Sequence, residues 1–154
     1  METALLLAEL GRLLGMDDLK LNVNGVASLQ FDKRMTTHFE PMPDGEHLLM
    51  YAAVCKWPEE PSEQVALATM FLEANLWGRG TAGSVFALDS GEGEIVLERQ
   101  IPLATVTSDS MRRQLEQFVE VVDLWMTRIL TKADHHEPGP DAESTDDGQT
   151  IIFG

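Results

Sequence analysis

Ser62–Gly83, SEQVALATMFLEANLWGRGTAG, is the stretch that decides how this chain is organised. Its first part reads as a helix that is apolar on almost every face. Val65, Ala66, Leu67, Ala68, Met70, Phe71, Leu72, Ala74, Leu76 and Trp77 are relieved only by Gln64, Thr69, Glu73 and Asn75. A helix on the outside of a small monomer shows one apolar stripe and one charged face. This stretch lacks the charged face, so it is expected to be covered on both sides. The chain's own sheet supplies one cover. In a chain this short, a second copy is the most economical source of the other.

The bulk numbers narrow the partners. A length of 154 residues suits one domain with one core. The formal net charge of −15 argues against nucleic acid, whose phosphates need clustered Lys and Arg, and against anionic lipid surfaces. Cys55 is the only cysteine, which precludes an internal disulfide. It lies in the apolar run LLMYAAVC, where a free thiol behaves as a small buried hydrophobe. The opening METALLLAELGRLLG has acids at Glu2 and Glu9 and no basic leading region, so no signal peptide is expected. No apolar run reaches the ~20 residues that span a bilayer. A cytoplasmic protein is the expectation.

Outward from the central helix, the periodicities alternate in type. The spacing predicts a first helix from about Thr3 to Leu14, with Thr3 as N-cap and Gly15 as stop. Leu6, Leu10, Leu13 and Leu14 form its stripe, and Leu5 falls beside Glu9 and Arg12. Val26–Arg34 alternates as a strand, with Ala27, Leu29 and Phe31 on one face. Met35–Glu40 is a second strand, stopped by Pro41 and Pro43 ahead of the turn Pro43-Asp44-Gly45. Glu46–Lys56 holds an unbroken apolar run, expected as a central strand covered on both faces. Ser62 is the expected N-cap of the apolar helix. Strands follow at Ser84–Leu88 and Glu94–Ile101, joined by Asp89-Ser90-Gly91-Glu92-Gly93. Asp109–Thr131 is the clearest helix, with Met111, Leu115, Phe118, Val122, Trp125 and Ile129 in one seam.

From Lys132 the composition changes to prolines, glycines and acids. Six Asp/Glu against one Lys give this tail a formal −5 and leave −10 for the remainder. The expected division is therefore a domain over 1–131 and an acidic, disordered tail over 132–154. Ile151-Ile152-Phe153 is the tail's one candidate docking motif. The element order α-β-β-β-α-β-β-α implies an α+β fold with a twisted antiparallel sheet packed by helices.

Few residues suggest chemistry. Gly78–Gly83 matches G-x-G-x-x-G, but a helix precedes it and a strand follows, the reverse of a dinucleotide fingerprint. His38 and His47 are candidate neighbours across a hairpin, at most part of a metal site, which needs three or four ligands. Asp17-Asp18 and Glu59-Glu60 lie in surface connections. No serine elbow, P-loop or H-E-x-x-H is present. No cofactor and no catalytic residue are assigned.

The residues together resemble the class I type III secretion chaperones, the Tir-chaperone or CesT-like family. The resemblance rests on Leu13-Leu14-Gly15 with Leu19, and on Phe71-Leu72-Glu73-Ala74-Asn75 closing the apolar helix. It continues through Phe86-Ala87-Leu88-Asp89, Ile95-Val96-Leu97 and Gln100-Ile101-Pro102-Leu103, and ends with Phe118 and Trp125 in the last helix. It covers roughly residues 2–131. It implies a bacterial cytoplasmic homodimer without enzymatic activity. Such a protein holds the N-terminal region of a secreted effector in extended form, soluble and ready for the export apparatus.

Extended clients are held by apolar side chains in grooves and by strand addition. The expected effector-binding residues are accordingly Leu5, Leu6, Leu10, Leu13, Leu29, Phe31 and Phe39. The expected dimer interface is Met70, Phe71, Leu72, Trp77, Val85 and Phe86. The alternatives are a dimeric protein-protein adaptor of related fold and a small-ligand-binding α+β domain.

Overall fold

The computed structural model describes residues 1–134. The expected disordered tail, beyond its first three residues, and the motif at 151–153 lie outside the described residues. The observed order is α1 (Thr3–Leu13), β1 (Ala27–Phe31), β2 (Met35–Pro41), β3 (His47–Lys56), α2 (Pro61–Asn75), a single 3-10 turn (Leu76–Gly78), β4 (Val85–Asp89), β5 (Glu94–Pro102) and α3 (Ser108–Asp134). The α+β class and the element order are those read from the sequence. All the strands form one antiparallel sheet in the order β1-β2-β3-β5-β4.

Period-two burial fixes the faces. Leu48, Met50, Ala52 and Val54 of β3 point under the helices and are buried, whereas His47, Leu49, Tyr51 and Ala53 are half-buried on the other face; a register shift after Ala53 sets Cys55 opposite Ile95 and turns it toward the helices. The expectation that β3 is fully covered on both faces is thus corrected: helices cover only one. Register places Phe39 opposite Met50, and Leu48 opposite Ile101, on the helix-covered side. Against them lie Leu6, Leu7 and Leu10 of α1 and Met111, Leu115, Phe118, Val122 and Trp125 of α3.

Gly15 follows the end of α1 as expected, with φ 71° just past the C-cap Leu14, but the helix starts depart from the expected caps. Thr3 lies inside α1, and Glu2 takes the N-cap position without a side-chain bond. Pro61, not Ser62, opens α2, since a proline at the first helical position loses no hydrogen bond. α3 opens with a reciprocal box in which Thr107 N–H donates to Ser110 Oγ (2.9 Å) and Ser110 N–H to Thr107 Oγ1 (3.2 Å). It continues through Asp134, past the expected end at Thr131. Gly11 is required where α1 meets the returning loop: an added Cβ would lie 2.4 Å from the Met16 carbonyl oxygen.

Candidate interaction surfaces

α2 is joined to the body by a small number of contacts. Phe71 is its only fully buried side chain. Its ring lies 4.3 Å from Phe86 and 6.0 Å from Trp125, and Phe86 meets Trp125 edge-on at 4.9 Å. Asn75 makes the second attachment. Its Oδ1 accepts from the Phe86 backbone N–H (2.8 Å) and its Nδ2 donates to the Phe86 carbonyl (3.2 Å), so the amide acts as a one-residue strand neighbour on the outer edge of β4. The Gly-rich link is the third. Trp125 Nε1 donates to the Gly80 carbonyl (2.7 Å), and a Cβ on Gly80 would sit 3.4 Å from both the Trp125 ring and Ala74. Gly80 serves close packing over an indole, and Gly78 and Gly83 take positive φ in the turn.

The rest of α2 is open. Helical residues advance by about 100°, so with Phe71 pointing inward Val65, Leu72 and Leu76 share one flank and Ala66 and Met70 the opposite one. Leu72 is 70% exposed and Trp77 79%, and Val65, Leu76, Val85 and Leu88 are exposed nearby. Trp77 also takes a left-handed backbone (φ 60°). A bulky residue in that region is strained, and such strain concentrates at functional positions. Of the expected dimer residues, Leu72, Trp77 and Val85 therefore present surface and Met70 is half-buried. Phe71 and Phe86 are a correction: their rings close the protein's own aromatic cluster, leaving nothing for a partner.

Further exposed apolar side chains lie on α1 and the loop after it. Leu5 is 52% exposed, and Leu13, Met1 and Met16 are also exposed. Phe31 is half-buried at the end of β1, a strand that among the described residues pairs only with β2. The remaining expected client residues are corrected. Leu6, Leu10, Leu29 and Phe39 are buried in the core, because the inward faces of α1, β1 and β2 meet there. Alternation in β1 had identified which residues share a face, but that face is the one the helices cover.

Among the described residues, the titratable groups form no acid–base constellation. His38 faces Tyr51 across β2 and β3, which puts His47 beyond reach as a second ligand; the expected neighbourhood of the two histidines is corrected by this register. His38 Nδ1 lies 2.8 Å from Ser28 Oγ, and burial lowers its pKa, partly opposed by Glu94. His47 is paired instead with Asp44 at 2.8 Å. The Asp44 carboxyl is held below its usual range first by the Glu46 backbone N–H and then by His47. Burial pushes the Cys55 thiol up to about 11, so it stays protonated at neutral pH. Arg99 is fixed by neutral acceptors, Ser84 Oγ, the Ala82 carbonyl and Gln117 Oε1, and ties β5 to the Gly-rich link and α3. Among the described residues, no group of three or more His, Cys, Asp or Glu is arranged to hold a metal ion. No described helix is long and apolar enough to cross a membrane.

Sequence reasoning missed Asn75 and Gly80 as the fasteners of α2. Asn75 was visible as a family-like Ala-Asn ending, but its strand-mimicking role depends on where β4 returns.

The family model described as Tir chaperone protein (CesT) family matches residues 5–126. The Tir chaperone of Citrobacter freundii is 25% identical over 119 residues, covering 77% of this chain and 74% of that protein. Among solved structures, the HopA1–SchA chaperone–effector complex contains a chain that superposes with a TM-score of 0.63 at 21% identity, over 80% of this chain and 91% of that one. The ExsC–ExsE complex gives a TM-score of 0.63 at 25% identity, over 82% of this chain and 96% of the other.

Proposed function

The chain belongs to the Tir chaperone protein (CesT) family of type III secretion chaperones, and from that premise we propose that it works as a homodimer that keeps the N-terminal segment of a secreted effector extended and soluble in the bacterial cytoplasm. The observation that carries this reading is that apolar side chains stay exposed on two separate elements, α1 and α2 with β4, while the sheet ends in β4 at one edge and β1 at the other. The flank of α2 with Leu72, Trp77 and Val85 suits a second copy, because a two-fold axis brings an apolar patch onto itself. Leu5 and Leu13 on α1, with Phe31 and the free edge of β1, suit an extended client: the strand edge offers backbone hydrogen bonds and the apolar side chains offer pockets. The role is holding and presenting the segment to the export apparatus, without turnover. The net charge of −15 favours basic client segments.

Purification from native cells, limited proteolysis and mass spectrometry test the reading. The expected result is a protected N-terminal segment of a larger secreted protein, one copy per dimer. Recovery of an intact folded partner would instead indicate an adaptor. A dimer that binds no polypeptide but melts higher with a small molecule would indicate a ligand-binding domain.

A further inference from the structure

The flank of α2 that faces away from Leu72 carries a groove of its own. It has a volume of about 510 Å³ and runs between α2 and the last turns of α3. Ala66, Leu67, Met70, Cys55 and Ile129 give it an apolar lining, and Lys56 and Lys132 stand on its rim with one acid, Glu63. Neither the proposed dimer flank nor the α1–β1 surface includes it. We propose that Ile151-Ile152-Phe153 of the same chain docks in this groove.

Three observations identify the occupant. The first is proximity. α3 is itself a wall of the groove through Ile129 and Lys132, and its described part reaches Asp134, within about 8 Å of Ile129 at helical rise. Ile151 follows 17 residues later. A chain of that length can reach at most about 55–60 Å, ample for the return. The second is composition. Residues 135–154 contain one apolar cluster, Ile151-Ile152-Phe153, and the groove is apolar. The third is charge. Glu137, Asp141, Glu143, Asp146 and Asp147 precede the cluster with no Lys or Arg among them. The rim supplies two cations: Lys132, which among the described residues reaches the Met70 sulfur at 3.3 Å, and Lys56, which is already paired with Glu94 at 3.0 Å. Tethering gives the segment an effective concentration on the order of millimolar, so a weak apolar contact suffices to fill the groove.

Cys55 lines the groove and is the chain's only thiol, so its reaction with a disulfide reagent such as DTNB reports occupancy. The full-length protein is compared with full-length Ile152→Asp/Phe153→Asp. The variant is expected to react about two- to tenfold faster, and added salt is expected to speed the unsubstituted protein more. Equal rates overturn the proposal. Protection that disappears on dilution assigns the segment to a second copy and overturns same-chain docking. A photoreactive benzoyl-phenylalanine at position 153 gives an independent reading. Cross-links to Ala66–Met70 or Ile129 of the same chain support docking, and cross-links confined to α1 or β1 overturn it.

Discussion

α2 and α3 meet at Phe71 and Trp125, yet they are used in opposite ways. α3 concentrates Met111, Leu115, Phe118, Val122 and Trp125 in one seam and buries all of them. Most of its other positions are polar or charged, with Leu124 and Leu130 the exposed exceptions. α2 is apolar around its circumference and buries only Phe71. The difference teaches how to separate a helix that serves its own core from one that serves a partner. A helix with a single seam has spent its apolar residues at home. A helix without a seam has more apolar surface than one sheet can cover.

Substitutions sharpen the contrast. Phe118→Ala removes a fully buried ring from the α3 seam and is expected to cost about 3–5 kcal/mol of stability in urea unfolding. A loss below about 1 kcal/mol would show that the seam is not the core. Leu72→Asp, on the open flank of α2, is expected to leave the folded protomer intact while shifting it from dimer to monomer in light scattering. Each copy would place an unpaired charge in a dry interface. A dimer that persists would move the interface elsewhere. Asn75→Leu strips the Phe86 backbone of both its amide partners. It is expected to cost about 1–3 kcal/mol and to loosen α2, seen as faster hydrogen exchange across Pro61–Asn75; unchanged exchange would mean that Phe71 alone fixes the helix.

The smallest effect lies between the two helices, at Cys55. Its thiol is raised to about 11 by burial, from 9.0 in an exposed setting. The folded state therefore retains its proton where the unfolded chain has lost it, so the contribution is complete below pH 9 and is lost between about 9 and 11. Unfolding measured across that window should show a slightly steeper decline for the unsubstituted protein than for Cys55→Ala. Parallel curves would show that the thiol is solvated.

Much of this architecture was legible because it depends on local period. The strand alternations, the α3 seam and the turn at Pro43-Asp44-Gly45 are consequences of backbone geometry acting on neighbouring residues. The β1–β2 turn was less legible, since Asp32 and Lys33 both take positive φ without a glycine and the strand ends sooner than its composition suggests. The client surface was read least well. Leu5 and Leu6 are adjacent leucines on one helix, and only the first is exposed.

What the sequence by itself determined was the element order, the α+β class, the family and the surplus apolar character of α2, because each is carried by residue type and spacing. What only the tertiary structure decided was the use of particular side chains. Phe71 and Phe86 became core while Leu72 and Trp77 became surface, and Leu6, Leu10, Leu29 and Phe39 were withdrawn from any client. The physical reason is that burial depends on which face of each element the sheet order and register turn inward, through contacts between residues far apart in the chain.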